Sequence, residues 1–251
     1  MNGTYQNIDC MELMATLKDK EIDLAIVDPP YGINVVQMVY KGRENYTTYT
    51  KNGYATKSNF TLNEFDSFRP NKEYFSELSR VSKNQIIWGG NYFCDYLPLS
   101  RGWVFWDKVN YDNDFSDGEL AWTSFDKGLK QFDFMWNGML QGKSIMEGRI
   151  NQGNKKLCEK KIHPTQKPVK LYEWLLTNYA KPNDLILDTH CGSASSLIAC
   201  ENLGFKYIAS ELDKDYYSQS LQRLEAHLSQ GKLFQRVGRD EIRLEQPSMF
   251  A

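Results

Sequence analysis

The sequence predicts an α/β protein built on a doubly wound, mainly parallel sheet. Short apolar runs with strand character alternate with stretches of helical periodicity, which is typical of a parallel sheet covered by helices on both faces. Two of the apolar runs, at 24–27 and 185–187, each end in an aspartate and a turn. Open α/β sheets bind their ligands at the carboxyl ends of strands, so these two strand ends are the candidate site.

The first half of the chain supplies most of the predicted strands. A short strand at 5–8 precedes a helix at 11–17, and the run at 24–27 has four successive apolar residues, as expected for a buried strand. A helix is predicted at 70–81, because proline is accepted in a first helical turn. Further strands, rich in aromatic and β-branched residues, are predicted at 85–88, 103–106 and 120–123.

The second half alternates more regularly. Pro168 favours the start of a helix that continues to Tyr179. The elements predicted after it are a strand at 185–187, a helix at 194–203 that ends at a glycine, a strand at 207–209 and a helix at 213–228.

Two polar and aromatic stretches, at 34–59 and 127–161, interrupt this alternation and are predicted to be irregular insertions in a single domain spanning 1–251. Long irregular stretches in compact domains are often functional. Residues 127–170 hold ten Lys or Arg against three Asp or Glu, a local charge of +7 in a chain of net charge −2. The lysines predicted to contact phosphates are Lys155, Lys156, Lys160 and Lys161, and the alternative is a solvated lysine-rich surface.

Composition excludes several classes of protein. No apolar run approaches the ~20 residues of a membrane span. The five cysteines form no C-x-x-C pair and none lies at zinc-ligand spacing from a histidine, so no metal is expected. The first residues do not resemble a signal peptide, so a cytoplasmic location is expected.

The first strand end carries Asp28-Pro29-Pro30-Tyr31. These residue types suit methylation of a nucleobase amino group. The exocyclic amino nitrogen of adenine or cytosine is a weak nucleophile, because its lone pair is delocalised into the ring. The Asp28 carboxylate and the Pro29 carbonyl could accept its two hydrogens and favour a pyramidal nitrogen, while the two prolines limit the conformations of the turn. Tyr31 offers a ring for stacking on an unpaired base. The alternative is an ordinary proline turn.

The second strand end carries Asp188, followed by the small residues Gly192, Ser193 and Ala194, and Glu211 lies 23 residues after Asp188. An acid at about this distance is suited to binding ribose hydroxyls. The turn lacks the G-x-G-x-x-G pattern, which disfavours a dinucleotide. A cofactor without a pyrophosphate fits better, and S-adenosylmethionine is one. The alternative is a routine βαβ crossover.

These residues together resemble the β group of DNA adenine-N6 methyltransferases, in which the catalytic motif precedes the cofactor motif. The resemblance covers about 9–223, and its further segments are 88–93, 103–108 and His163-Pro164-Thr165-Gln166-Lys167-Pro168. It implies the Rossmann-like fold of S-adenosylmethionine-dependent methyltransferases. It also implies double-stranded DNA as partner, base flipping as in methyltransferases generally, and a possible homodimer.

The resemblance assigns a role to each matching residue. Asp28, Pro29, Pro30 and Tyr31 would bind and activate the flipped adenine. The cofactor pocket would be lined by Asp188, Gly192 and Ser193, with Glu211 on the ribose, Asp9 near the cofactor adenine, and Thr165 and Lys167 near its methionine end.

The sequence departs from the family pattern beside the cofactor motif. Thr189-His190 stand where the family usually has Pro-Phe, and Ala194 stands where it has a second glycine. Alanine resists positive φ, which puts cofactor affinity in question. A DNA-binding relative with impaired catalysis therefore remains an alternative. Two further alternatives concern the substrate and remain open: a cytosine-N4 enzyme and a protein glutamine-amide methyltransferase.

Overall fold

The computed structural model describes residues 1–33, 49–50, 53–54, 68–110, 116–137 and 140–237. Its helices are α1 (Cys10–Ala15), α2 (Lys72–Val81), α3 (Ile145–Gly153), α4 (Val169–Tyr179), α5 (Ser195–Leu203) and α6 (Lys214–Val237). Its strands are β1 (Thr4–Gln6), β2 (Ile22–Val27), β3 (Tyr49–Thr50), β4 (Gly53–Tyr54), β5 (Ser82–Trp88), β6 (Trp103–Asp107), β7 (Gly118–Thr123), β8 (Lys130–Asp133), β9 (Met135–Asn137), β10 (Leu140–Gly142), β11 (Leu185–Asp188) and β12 (Lys206–Ser210).

An eight-stranded sheet organises the described residues, with its strands in the order β1-β12-β11-β2-β5-β7-β6-β8. The first five strands in that order are parallel to one another. Strand β7 is antiparallel to both of its neighbours, and β6 and β8 are parallel again. The predicted fold, α/β with a mainly parallel sheet, is confirmed.

Helices cover both faces of the sheet. Leu24 and Ile26 of β2 pack in one apolar cluster with side chains of α4, α5 and α6. Ala25 and Val27 face the other way and pack with side chains of α1 and α2. Side chains alternate between the two faces of a strand, so an unbroken apolar run is what a strand buried on both faces requires.

The five parallel strands end at one edge of the sheet, and this edge gathers the predicted site residues. Asp28 follows β2, Asp188 ends β11 and Glu211 follows β12, while Gly89 follows β5 on the other side of β2. The strand order thus brings two motifs that are far apart in sequence to neighbouring positions.

The stretch 127–161 is more regular than the sequence predicts, since it contains β8, β9, β10 and α3. These strands have only three or four residues each, which is too short for an alternating pattern to stand out. The Gln141 side chain connects this stretch, because it accepts a hydrogen bond from the Glu159 amide and donates one to the Glu159 carbonyl.

The other predicted insertion, 34–59, lies outside the described residues except for β3 and β4, which pair antiparallel. Within the described part of the chain, no helix is long and apolar enough to cross a membrane. The same residues contain no cluster of three or more His, Cys, Asp or Glu side chains arranged to hold a metal ion.

Candidate active site

A cavity of about 630 Å³ opens at the carboxyl edge of the parallel strands. Its volume is in the range of small-molecule sites. Both predicted motifs line it, through Asp28, Pro29, Pro30 and Tyr31 on one side and Thr189, His190, Cys191, Gly192, Ser193 and Glu211 on the other. The two motifs therefore share one cavity.

The Asp28 carboxylate accepts a hydrogen bond at each oxygen. The Tyr31 hydroxyl donates to Oδ1 at 2.7 Å, and the Lys167 ammonium donates to Oδ2 at 2.5 Å. An ionised carboxylate has about four lone-pair sites, so Asp28 retains acceptor capacity for an incoming N–H group. Burial raises the pKa of Asp28, and the positive charge of Lys167 opposes that rise.

The Tyr31 ring depends on a glycine for its position. Gly89 has φ +66°, and a Cβ atom there would lie 2.2 Å from the Tyr31 ring, so no larger residue fits without displacing the ring. The Tyr31 ring stacks on Tyr92 with centroids 5.0 Å apart and planes 18° from parallel. Both rings line the cavity, which makes them an aromatic surface beside the Asp28 carboxylate.

Sequence reasoning missed Glu119, which lies on β7 and reaches the same cluster of charges. Its Oε2 lies 3.1 Å from the Lys167 ammonium and its Oε1 lies 2.6 Å from Lys108 Nζ. Burial would raise the pKa of Glu119, but the two lysines outweigh it and lower that pKa to about 2. Glu119 is therefore ionised at neutral pH. The sequence does not identify it as a site residue, because β7 is short and has only a weak strand pattern.

Lys167 lines the cavity together with Thr165, and its proximity to the methionine end of a cofactor stays a prediction. Its side chain is only 3% exposed, and its ammonium contacts Asp28, Glu119 and the Tyr31 hydroxyl. These contacts place its charge beside the turn that carries Asp28 and Tyr31. The sequence does not reveal that two half-buried carboxylates, Asp28 and Glu119, lie beside this lysine.

The segment that carries Lys167 is held by contacts on both sides. The Trp136 indole donates to the Gln166 carbonyl at 2.6 Å, and the Val169 amide donates to Glu159 Oε1 at 2.9 Å. Pro168 is the residue just before α4, one position before the predicted first turn. Thr165 lines the cavity, and its hydroxyl lies 3.1 Å from His163 Nδ1.

Asp188 organises the turn at 189–194 from behind it and is not among the residues that line the cavity. Its Oδ1 accepts the His190 amide at 3.0 Å, and its Oδ2 accepts the Ser196 hydroxyl. Burial raises the pKa of Asp188 to about 7. The predicted pocket role of this residue is thus indirect, because its carboxylate faces the turn and the start of α5.

Glu211 and Gly192 form the side of this turn that faces the cavity. Gly192 has φ +51°, and its amide donates to Glu211 Oε2 at 2.8 Å. The Asp213 amide donates to Oε1 at 2.9 Å. Each oxygen retains a lone-pair site, so Glu211 can still accept ribose hydroxyls, and the residues present fit a nucleoside cofactor.

The departures from the family pattern have local structural explanations. Ala194 has φ +58°, the left-handed conformation in which a non-glycine residue costs about 1–2 kcal/mol. The methyl group is fully buried, so packing offsets part of that strain. The His190 ring is neutral, since burial lowers its pKa to about 4, and its Nδ1 lies 2.9 Å from the Thr189 hydroxyl.

Asp9 combines a structural role with a position on the cavity. Its carboxylate accepts the Met11 amide at 2.7 Å and caps α1, and it also lines the cavity. A cap of this kind stabilises a helix by roughly 1 kcal/mol. Proximity to a cofactor adenine stays a prediction.

The four lysines predicted to contact phosphates do not form one uniform surface. Lys156 and Lys160 are exposed, while the side chain of Lys155 lies outside the described residues. Lys161 lies over Trp136, 4.7 Å from its ring centre, and donates to the Trp136 carbonyl. Burial lowers the pKa of Lys161 to about 8, so this lysine is a weaker candidate for a phosphate contact than its neighbours.

Comparison with known proteins agrees with this geometry. A family model described as DNA methylase, of the N6 and N4 type, matches residues 107–222. The type II methyltransferase M.HinfI of Haemophilus influenzae is 25% identical in an alignment 246 residues long, which covers 86% of this chain and 66% of that protein. The type II methyltransferase M2.LlaDCHI of Lactococcus lactis subsp. cremoris is 24% identical, with 89% of each chain covered.

Solved structures share the fold. M1.HpyAVI in complex with S-adenosylmethionine superposes with a TM-score of 0.51 at 20% identity, covering 88% of this chain and 99% of that one. The cytosine-N4-specific PvuII DNA methyltransferase has a TM-score of 0.51 at 16% identity, covering 96% and 94%. The two strand-end motifs line one cavity, and these solved structures share the fold that carries it.

Proposed function

We propose that the protein transfers a methyl group from S-adenosylmethionine to the N6 amino group of adenine in double-stranded DNA, after flipping the base out of the helix. The observation that carries the proposal is the shared cavity, in which Asp28 and Tyr31 face the same space as Gly192 and Glu211. S-adenosylmethionine is the cofactor, in keeping with the similar structure solved as its complex.

The chain supplies acceptors for the amino group. The Asp28 carboxylate accepts one N–H hydrogen of the target, and the Pro29 carbonyl at the start of the rigid turn accepts the other. With both hydrogens held, the nitrogen lone pair points away from the ring towards the opposite side of the cavity. S-adenosylmethionine held beside Gly192 and Glu211 would supply an electrophilic methyl group to this nitrogen, which would give up one hydrogen as a proton. The protein's own residues contribute mainly by positioning.

The target base must leave the helix to reach Asp28, because an adenine amino group inside a duplex is inaccessible to a buried carboxylate. The stacked Tyr31 and Tyr92 rings provide a flat apolar surface beside Asp28 that would receive the flipped base. Sequence-tolerant stacking of this kind is worth about 1–3 kcal/mol per base.

We propose adenine and not cytosine as the target base, because the motif begins with aspartate, at Asp28. Cytosine-N4 enzymes of the resembling family have serine at this position. The test is to methylate DNA with the purified protein, digest it to nucleosides and separate them by mass spectrometry. N6-methyladenine alone supports the proposal, whereas N4-methylcytosine would replace it with the cytosine alternative. If the DNA stays unmodified and a glutamine side chain of a protein is methylated, the result would support the glutamine-amide alternative.

A catalytically impaired relative is the other alternative, and Ala194 is its motive. The strain at φ +58° would then have removed cofactor binding. Titration calorimetry of the protein with S-adenosylmethionine separates the two cases, because an active enzyme binds the cofactor and an impaired one does not. Sedimentation of the protein with and without DNA tests the predicted homodimer.

Tyr31 should contribute through both its ring and its hydroxyl. Tyr31→Ala removes the stacking surface and should weaken base capture by about 1–3 kcal/mol. Tyr31→Phe keeps the ring but loses the 2.7 Å hydrogen bond to Asp28, so it should bind DNA normally and turn over more slowly. Fluorescence of 2-aminopurine at the target position measures flipping, and single-turnover kinetics measure transfer. Equal flipping by the Ala variant and the wild type would exclude the stacking role.

The exposed lysines after α3 should bind DNA phosphates. Lys156→Gln with Lys160→Gln should weaken binding to all DNA sequences and lower the slope of log affinity against log salt by about 0.9 for each phosphate that is no longer neutralised. Site preference should persist, since phosphate contacts position and base contacts specify. Exposed Lys181 and Lys206, near the amino ends of β11 and β12, provide the matched double-glutamine control. Identical slopes in both double variants would mean that the first pair is only a solvated surface.

A further inference from the structure

An alternating row of four buried or half-buried charges crosses the floor of the cavity. Lys108 Nζ lies 2.6 Å from Glu119 Oε1, Glu119 Oε2 lies 3.1 Å from Lys167 Nζ, and Lys167 Nζ lies 2.5 Å from Asp28 Oδ2. With all four groups ionised, the row has no net charge.

The row has features that a surface ion pair lacks. Lys167 is only 3% exposed, and a buried ammonium is strongly destabilising unless it is paired and hydrogen-bonded. Its partners come from two different parts of the fold, the turn after β2 and the strand β7. The Lys167 ammonium also lies 5.3 Å from the Trp88 ring centre, which leaves little room for solvent around it.

We infer that Lys167 is a positioning residue that keeps the Asp28 carboxylate ionised and oriented towards the target amino group, and that Glu119 holds Lys167 in place. This inference rests on the proposed function for its chemistry, since only an ionised Asp28 is an acceptor at both oxygens. Lys167 donates a hydrogen bond to Oδ2 of Asp28 and so restricts rotation of the carboxylate group. Glu119 contacts the Lys167 ammonium from the opposite side.

The charges around Asp28 act in opposite directions. Lys167 favours the ionised carboxylate, whereas Glu119 disfavours it by repulsion and burial raises the Asp28 pKa further. The ionisable groups that face Asp28 from the surrounding elements are Lys167, Glu119, Tyr31, Tyr74, Tyr172 and Asp188. Among these six, Lys167 is the cation, so its removal should have the largest effect on the ionisation of Asp28.

The test is the pH profile of kcat/KM for methyl transfer to DNA. Activity requires ionised Asp28, so it falls as pH decreases through the Asp28 pKa. Lys167→Met should raise that pKa, move the acid limb to higher pH and lower kcat/KM by about 10²-fold, the scale of a misplaced catalytic group. Lys167→Arg keeps the charge and should restore the position of the limb.

Glu119→Gln should shift the acid limb of the pH profile in the opposite direction. Removing a negative neighbour lowers the Asp28 pKa, so the acid limb should move to lower pH. A purely structural role for either residue would reduce activity without shifting the two limbs in opposite directions. Lys170→Met is the matched control, because Lys170 lies three residues further along, is 63% exposed and pairs with Glu173.

The result that would overturn the inference is an unshifted acid limb in Lys167→Met together with a weaker affinity for S-adenosylmethionine. That pair of outcomes would return Lys167 to the cofactor-binding role that the sequence predicts.

A second measurement does not depend on activity. Unfolding free energies of Asp28→Asn, Lys167→Met and the double variant form a cycle. The double variant should be less destabilised than the sum of the two single variants, because each single variant removes one partner of a charge that the other variant replaces. Additive destabilisation would overturn the pairing. Coupling in a protein that fails to methylate DNA would reject the proposed function and leave the pairing intact.

Discussion

Asp28→Ala should abolish methyl transfer and leave S-adenosylmethionine affinity nearly unchanged. The carboxylate is the acceptor aimed at the target amine, and it lies on the side of the cavity formed by the turn after β2, whereas the Gly192 turn lies after β11. Loss of one preorganised hydrogen-bonding group costs about 10²–10³ in kcat, and Asp28→Ala removes a charge as well, so we expect a larger loss than this. Single-turnover transfer of a labelled methyl group measures the rate, and calorimetry measures the cofactor affinity.

Asp28→Asn should be nearly as damaging, for a reason that the hydrogen bonds make specific. Tyr31 and Lys167 each donate to one oxygen of the carboxylate. An asparagine side chain has one oxygen and one NH₂ group, so if its oxygen stays on Lys167, the Tyr31 hydroxyl must accept a hydrogen bond from the NH₂ group instead of donating one. The substitution therefore removes the charge and also disturbs the orientation of the side chain.

Folding is a weaker explanation for either loss of activity, because Lys167 would still pair with Glu119 at 3.1 Å. Circular dichroism of each variant provides the control. Near-normal turnover in a folded Asp28→Ala variant would remove Asp28 from the mechanism, and loss of cofactor affinity in the same variant would mean that the two halves of the cavity are not independent.

The parts of the site that the sequence predicts are those whose signal is local. A strand, an acid and a turn are contiguous at 24–31 and at 185–194, so hydrophobic pattern and turn chemistry are enough to find them. Their meeting at one edge then follows from the rule that parallel strands place their carboxyl ends together.

The parts that the sequence does not predict depend on contacts between distant segments. Glu119 and Lys167 meet Asp28 only because β7 and the segment before α4 converge on the end of β2. Neither β7 nor that segment has a periodicity that indicates its neighbours. Local charge counting also misleads here, since Lys167 and Lys161 contribute to the +7 of residues 127–170 and yet lie against buried partners.

Asp188 shows that the sequence can place a residue at a strand end without giving the direction of its side chain. Its position at a strand end is predictable, but the direction of its carboxylate depends on the Ser196 hydroxyl and the His190 amide. These partners lie on either side of Ala194, which takes the left-handed conformation in the turn between them. The sequence indicates that an acid is present, and only the turn geometry shows that it faces inward and leaves Glu211 on the cavity.

Glu211→Ala should reduce S-adenosylmethionine affinity by about 10- to 150-fold without changing which DNA site is methylated. Each hydrogen bond to a charged acceptor is worth about 1.5–3 kcal/mol, and a factor of ten in affinity corresponds to about 1.4 kcal/mol. The substitution would also leave the Gly192 and Asp213 amides without their acceptor, so the turn itself should loosen.

Glu211→Gln separates the ribose contact from the turn. One oxygen of the amide still accepts a backbone N–H, but its NH₂ group would face the other backbone donor. Calorimetry with S-adenosylmethionine, beside thermal unfolding without it, distinguishes weaker binding from lower stability, and Glu225→Gln on the exposed side of α6 is the matched control. If a folded Glu211→Ala variant bound the cofactor as tightly as the wild type, the ribose would have to be held elsewhere in the cavity, and Asp9 and Asp213, which also line it, would be the next carboxylates to replace.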